Sequence, residues 1–237
     1  MSYKKDVKKI YNNRTYVEKY PELHIFPAHK KHAKNISNLN LILRNKKDAV
    51  WLDVCCGSAW HFSHTPSGGI KKIGIDISHE HLKAAKQNNP DSEFICDDFL
   101  DYEAKERTFD LVTCFWGSYC YLNTEDQISS FINKMITLTS DEGTLYIEVV
   151  TPHTIGTFSG SRHERESSSS IEILNESGSR WKFIDAGGEH VMLSPPLESV
   201  LEILKETFAN IRVDSNCYVH HLICKDKKTS LDTMKIS

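Results

Sequence analysis

The 237-residue chain has no cysteines in C-x-x-C spacing, no apolar run long enough for a bilayer and no excess of basic residues. Each absence removes a class of function. The seven cysteines, at 55, 56, 96, 114, 120, 217 and 224, are odd in number and fall mostly in apolar stretches. They read as reduced, partly buried small residues, not as a disulfide framework or a metal site. A formal net charge of −3, with Lys and Arg spread along the chain, leaves no basic footprint of the kind that dominates nucleic-acid affinity. Neither DNA nor RNA is expected as a partner. The longest apolar stretch, near Leu145 to Val150, falls far short of the roughly 20 residues of a spanning helix, and Met-Ser-Tyr-Lys-Lys-Asp at the start has no apolar signal core. The expectation is a soluble, cytoplasmic protein with no membrane partner. Two glycine signatures are missing as well: G-x-G-x-x-G for a dinucleotide pyrophosphate and G-x-x-x-x-G-K-[ST] for a phosphate cradle.

What is present is a series of short apolar runs that end on acids. Ala49 to Ala59 reads A-V-W-L-D-V-C-C-G-S-A, in which a strand-like run reaches Asp53 and a tight group of small residues follows. Ile73-Gly74-Ile75-Asp76-Ile77 follows 23 residues after Asp53, and Phe94-Ile95-Cys96-Asp97-Asp98 about as far again. In an open α/β sheet, ligands bind outside the carboxyl ends of the strands, so these carboxylates face a ligand. A ribose needs a carboxylate that accepts from two adjacent hydroxyls, and an adenine amino group needs an acceptor one strand further on; Asp76 and Asp98 suit those jobs. Cys55, Gly57, Ser58 and Ala59 are small, which lets backbone approach the ligand closely.

At these residues the chain resembles the class I, Rossmann-like S-adenosylmethionine-dependent methyltransferases, whose first motif runs roughly hydrophobic-D-x-G-x-G-x-G. Here it stands as Leu52-Asp53-Val54-Cys55-Cys56-Gly57-Ser58-Ala59, with Cys55 and Ala59 in the outer glycines' places. Gly74-Ile75-Asp76-Ile77-Ser78 stands for the second motif, Asp97-Asp98-Phe99-Leu100-Asp101-Tyr102 for the third, and Phe109 to Gly117 for the fourth. Glu142 to Glu148 precedes and forms the fifth strand. The resemblance covers residues 49 to 150. It implies S-adenosylmethionine as cofactor, S-adenosylhomocysteine as product, and donor contacts from Asp53, Cys55, Gly57, Ser58, Ala59, Asp76, Ile77, Asp97, Asp98, Phe99, Cys114, Phe115 and Trp116. By the same resemblance Tyr11 and Tyr20 of the N-terminal segment reach the methionine end. The rivals are a nicotinamide site, disfavoured by the missing glycines, and an α/β domain whose strand ends carry only solvated acids.

The coarse organisation follows from periodicity. Residues 1–48 form a helical segment, with one helix beginning in residues 4–20 and a second from Ala28 to Leu43, and the resemblance makes this segment a lid over the site. Residues 49–224 form the cofactor-binding domain, and 225–237 a disordered tail. The expected strands are Val50–Val54, Lys72–Asp76, Glu93–Cys96, Leu111–Phe115 and Thr144–Val149. Helices fall between them, one starting near Ser58, one capped by Ser78, and one from Thr124 to Thr139. Alternation of this kind predicts a mostly parallel sheet with helices on both faces. After strand five, residues 153–193 are polar, with serines at 167–170, yet Ile171–Leu174 and Trp181–Ile184 alternate like half-buried strands around Gly178. We read them as an antiparallel β insert capping the site, or else a surface excursion. A helix from Leu197 to Phe208 and the strands Ile211–Tyr218 and Val219–Cys224 follow, and the resemblance implies that this pair closes the sheet with an antiparallel C-terminal strand.

Methyl transfer needs a nucleophile aligned opposite the sulfur more than a strong acid or base, and alignment supplies on the order of 7 to 11 kcal/mol. A phenol or ammonium acceptor still has to lose a proton, for which His is the natural base. Of twelve histidines, His153 stands just past strand five, His24 and His29 lie in the lid segment, and His163 lies in the basic cluster Arg162 to Arg165 of the insert. His61 and His64 follow the cofactor turn. His220 and His221 point to opposite faces of a strand and cannot share one metal, so no metal is expected. Trp116, Tyr119 and Tyr121 stand where the resembling family lines the donor methyl and acceptor, and their rings suit a sulfonium through cation–π attraction. His153, Tyr119 and His24 are the catalytic candidates. The Asn/Asp-Pro-Pro-Tyr motif of amino-methylating nucleic-acid enzymes is absent, with Phe115-Trp116-Gly117-Ser118 in its place, and the paired-glutamate loop of protein arginine methyltransferases is not visible. The expected activity is methyl transfer to the N or O of a small-molecule acceptor. The alternatives are a cyclase-type enzyme or a non-catalytic interaction subunit of the same fold. Sequence does not separate a monomer from a homodimer.

Overall fold

A computed structural model describes residues 3–25, 29–66, 68–105, 108–159, 169–215 and 218–228. In chain order these form α1 (Tyr3–Tyr11), α2 (Arg14–Tyr20), a π-helical turn (Pro21–Ile25), α3 (His29–Leu43), β1 (Val50–Val54), α4 (Trp60–Ser63), β2 (Lys71–Asp76), α5 (His79–Asn88), β3 (Glu93–Cys96) and β4 (Phe109–Cys114). A 3₁₀ turn (Ser118–Tyr121), α6 (Glu125–Leu138), β5 (Thr139–Val149), α7 (Pro152–Phe158), β6 (Ser170–Ile173), β7 (Arg180–Asp185) and β8 (Gly188–Leu193) follow. The last elements are α8 (Leu197–Thr207), β9 (Phe208–Ser215) and β10 (His220–Lys227).

Seven strands make one sheet in the order β3-β2-β1-β4-β5-β10-β9, and β6, β7 and β8 make a second. Neighbours from β3 through β5 are parallel, β10 runs antiparallel to β5, and β9 runs antiparallel to β10. This is the expected Rossmann-like sheet. The near-continuous apolar strands β1, β2, β4 and β5 are buried from both sides, as parallel strands covered by helices are. On one face α6 seats Ile128, Phe131, Ile132, Met135 and Leu138 against the sheet. On the other, Leu39, Ile42 and Leu43 of α3 pack with Trp51, Phe62 and Tyr146.

The helix starts obey local chemistry. Ser78 and Thr124 accept hydrogen bonds from the backbone N–H of His81 and Gln127, satisfying donors that the first turn leaves free. Several boundaries differ from the sequence reading. The first helix is two, because Asn13 accepts from the Tyr16 N–H and starts α2 afresh, and the segment after Pro21 is helical rather than irregular. β5 begins at Thr139, not Thr144, with a bulge in its pairing between Phe109 and Leu111 of β4. Helix α7 was not foreseen; Thr151 and Thr154 build its capping box and Pro152 opens it. The insert has a third strand, β8, antiparallel to β7, while Gly178 does lie in the turn before β7. Lys225 and Lys227, assigned to the disordered tail, belong to β10 and pair with Asn210 and Phe208. The basic cluster Arg162 to Arg165, Ser167 and Ser168, and residues 229–237 lie outside the described residues. Among the described residues no helix is long and apolar enough to cross a membrane, and six cysteines are free.

Candidate functional site

The sheet's order reverses between β1 and β4, and the crevice outside their carboxyl ends is where an open α/β sheet takes a ligand. A cleft of about 1040 Å³, open mouth included, lies there. Its floor is the turn after β1. Cys55, Gly57 and Ala59 all have left-handed backbone, with φ of 57°, 55° and 53°. The chain therefore keeps the conformation that glycine favours at the two places where Cys and Ala have replaced it, at a cost of roughly 1–2 kcal/mol each. A Cβ at Gly57 would lie 3.7 Å from His81 Nδ1, on the cleft side of the turn.

The strand-end acids have different surroundings. Asp76, at the end of β2, lines the cleft; its Oδ2 accepts from the Gly57 N–H at 2.9 Å and its Oδ1 from the Ser78 N–H at 2.8 Å. Ile77, Asp97, Asp98 and Phe99 line the wall beyond it. Asp98 Oδ1 accepts from the Leu100 N–H at 2.8 Å, and Phe99 packs on Phe131. Asp53 lies behind the floor, buried, where its Oδ1 accepts from Thr113 Oγ1 at 2.5 Å; the Trp51 indole in turn donates to Thr113. Burial raises the Asp53 carboxyl to about 7, the Thr113 hydrogen bond opposing and the charges of Asp76 and Glu148 adding to the rise.

Of the sequence candidates, Cys55, Gly57, Ser58, Asp76, Ile77, Asp97, Asp98, Phe99, Trp116, Tyr119, Tyr11 and Tyr20 line the cleft together. Asp53, Ala59, Cys114 and Phe115 are buried around it and do not line it. Trp116, at φ 67°, holds a strained left-handed conformation that its backbone N–H locks by donating to Glu148 Oε2 at 2.7 Å. Tyr119 is nearly inaccessible, its hydroxyl taken by the Val150 N–H at 3.0 Å. His153 is exposed on α7 and outside the cleft lining, because the chain turns away from the sheet edge at Pro152. His24 sits where the N-terminal segment meets β7, outside the cleft lining, with Nε2 on Asp185 Oδ2 at 2.8 Å.

Four contributors were not foreseen: His81, Tyr16, Asp185 and His190. His81 is 3% exposed, lines the cleft, and has a buried Nδ1 with no hydrogen-bond partner. Burial lowers its pKa against the opposing charge of Asp76, so it is a neutral ring with a polar atom ready for a ligand. Asp185, the last residue of β7, gathers Tyr16 at 2.6 Å and His24 on one oxygen, and His190 at 2.9 Å with the Gly187 N–H on the other. Burial opposes its charge, but the bonds from His190, His24 and Tyr16 hold its carboxyl well below the ordinary range. His190 continues to Tyr121 (2.5 Å) and Tyr121 to Tyr11 (2.7 Å). Burial pushes the phenols of Tyr11, Tyr16, Tyr20 and Tyr121 up, so all four stay protonated donors. The N-terminal segment is tied to the start of α5 as well: Ser78 Oγ donates to the Tyr11 carbonyl at 2.5 Å.

Residues 52–143 match the family model described as a methyltransferase domain. A curated relative, dTDP-3-amino-3,6-dideoxy-alpha-D-glucopyranose N,N-dimethyltransferase of Streptomyces fradiae, is 26% identical over 102 residues, 43% of this chain and 40% of that protein. The match thus spans under half the relative's length. Among solved structures, DesVI of Streptomyces venezuelae has 17% identity and a TM-score of 0.63, covering 90% of this chain and 98% of that one. The sugar N-methyltransferase KedS8 of a Streptoalloteichus species has 18% identity and a TM-score of 0.60, covering 83% and 87%. The N-methyltransferase NodS of Bradyrhizobium japonicum, solved with S-adenosyl-L-homocysteine, has 14% and 0.60, covering 96% and 98%. At these identities the structures establish a shared fold.

Proposed function

We propose that this chain, whose fold and central motif block are those of the class I methyltransferases, uses S-adenosylmethionine to methylate the N or O of a small molecule. The observation that carries the reading is the convergence of the left-handed turn at Cys55, Gly57 and Ala59 with Asp76 and the unpartnered His81 Nδ1 at one end of one cleft. The residues fit that cofactor: the turn brings backbone close, Asp76 can exchange its bond from the Gly57 N–H for ribose hydroxyls, and Asp98 beside Phe99 suits an adenine. Bound there, the cofactor supplies a methyl group activated by the sulfonium charge.

The chain's own residues do the rest. Trp116 and Tyr121 present aromatic surface to a cationic centre. Tyr11 and Tyr20 close the cleft from the lid segment, with Val7 and Ile25 adding apolar surface that excludes water. Orientation within this enclosure contributes on the order of 7 to 11 kcal/mol of barrier lowering. An amino sugar is the acceptor class we favour, since the Streptomyces relative is named for one and the tyrosine cluster offers hydroxyls and ring faces to a polyhydroxy amine. The free cysteines support a reducing, cytoplasmic setting.

The test is a mass-spectrometric screen of amino and hydroxyl sugars, free and nucleotide-linked, with S-adenosylmethionine. Methylated product together with S-adenosylhomocysteine supports the reading. Donor binding without methylation of any acceptor would favour the cyclase-type or non-catalytic alternative.

A further inference from the structure

We propose that Tyr11, Tyr121, His190 and Asp185 form a relay that removes the proton lost by the methyl acceptor, Tyr11 meeting the acceptor and the other three acting as positioning residues behind it. The proposal rests on the methyl-transfer reading above. Its basis is the direction of the hydrogen bonds. Asp185 is held ionised by three side-chain donors, so its Oδ1 can only accept, and the His190 proton toward it sits on Nε2. With a single ring proton, placed on Nε2, His190 Nδ1 is the acceptor for the Tyr121 hydroxyl 2.5 Å away. Tyr121 oxygen in turn accepts from the Tyr11 hydroxyl at 2.7 Å, and both phenols line the cleft. The carboxylate fixes the imidazole tautomer and orients its basic nitrogen toward the site.

His190 is fully enclosed, so nothing reaches it except through Tyr121. The groups around it are Asp185 and Phe183 of β7, Tyr121 of the 3₁₀ turn, Tyr11 of α1 and Tyr16 of α2. His24 shares the carboxylate from the opposite oxygen. The site comes from the lid segment, the loop after β4 and the β insert, so it exists only when all three are docked.

The step balances. The acceptor's lone pair forms the bond to the methyl carbon, and the carbon–sulfur bond's electrons neutralise the sulfonium. The acceptor's proton goes to the Tyr11 oxygen, the Tyr11 proton to Tyr121 and the Tyr121 proton to His190 Nδ1, leaving an imidazolium against the Asp185 carboxylate. Burial holds both phenols protonated at rest, so each enters the relay as a donor.

The experiment uses the full chain, its Tyr121→Phe, His190→Gln and Asp185→Asn variants, and the first acceptor of the sugar panel that the wild-type chain methylates. S-adenosylhomocysteine affinity should stay within about threefold in all three variants. Near pH 7, kcat should fall about 100-fold. In the variants it should then climb about tenfold per pH unit toward the acceptor's own pKa, while the wild-type profile stays shallower. ¹⁵N-histidine NMR of the free protein should find a proton on His190 Nε2 and none on Nδ1. Equal loss at every pH, or no loss, overturns the relay while leaving methyl transfer standing. A proton on Nδ1 overturns it without recourse to activity. If the wild-type chain neither binds S-adenosylhomocysteine nor methylates any acceptor, the methyl-transfer reading fails and the relay with it.

Discussion

Cys55 and Ala59 show how a backbone requirement outlasts the residue that ordinarily meets it. Both occupy left-handed conformations in the floor of the cleft, where a side chain's Cβ crowds its own carbonyl. In Ala59→Gly the relief of strain is offset by the lost burial of the methyl and by the entropy of an unfolded glycine, so stability should stay within about 1 kcal/mol of wild type. Urea unfolding reads the difference, and a loss well beyond that would contradict a strained left-handed turn. Asp185 gives a pH-dependent counterpart. Its folded carboxyl is held well below the unfolded value, so the stability it contributes is fully present above about pH 4 and is lost progressively as the pH falls from there toward the lower folded value. Asp185→Asn should cost about 1.5 to 3 kcal/mol at pH 7, with the gap to wild type narrowing below pH 4. A gap constant from pH 7 to pH 3 would contradict the assignment. Sequence spacing brought Asp76 and Asp98 to notice because each ends an apolar run. Asp185 and His190 gave no such signal, since their meaning lies in partners from residues 11 to 121.

At the scale of elements, strands β1 and β3 and the Ser78 and Thr124 caps could be read directly, because uninterrupted apolar runs and side-chain caps are local. Strand β8 could not. Its buried positions include His190, so a polar residue occupies a core place in the alternation and hides the period. Helix α1 ended early for a similar reason: the competing bond from Tyr16 N–H to Asn13 outweighs a continuous helical pattern. The insert docks on the lid segment at Gly187, where an added Cβ would come within 2.7 Å of the Tyr16 ring. Gly187→Ala must push Tyr16 away from Asp185 and loosen that seam. The expected outcome is a folded protein whose amides in α2 exchange with solvent about tenfold faster; unchanged exchange there would show that the insert does not brace the lid segment.

For the whole molecule, the switch point between β1 and β4 explains why chemistry collects at one end. Three parallel strands deliver acids there, the turn after β1 opens backbone to a ligand, and Val7, Tyr11, Tyr20 and Ile25 of the N-terminal segment line the same cleft. Around that end stand His81 beside the turn after β1 and the Asp185-centred network behind Tyr121. The fold was legible because alternating strands and helices with strand-end acids admit few topologies. The composition of the acceptor side was not, because the lid segment and the insert are joined only through tertiary contacts. The measurement that bears most directly on the account is calorimetric titration of S-adenosylhomocysteine and S-adenosylmethionine into the wild-type chain and Asp76→Ala. We predict micromolar binding of both by the wild type and 10- to 100-fold weaker binding by the variant, about 1.5 to 3 kcal/mol for a charge-assisted ribose contact. No binding by the wild type, or equal binding by a folded Asp76→Ala, would contradict it.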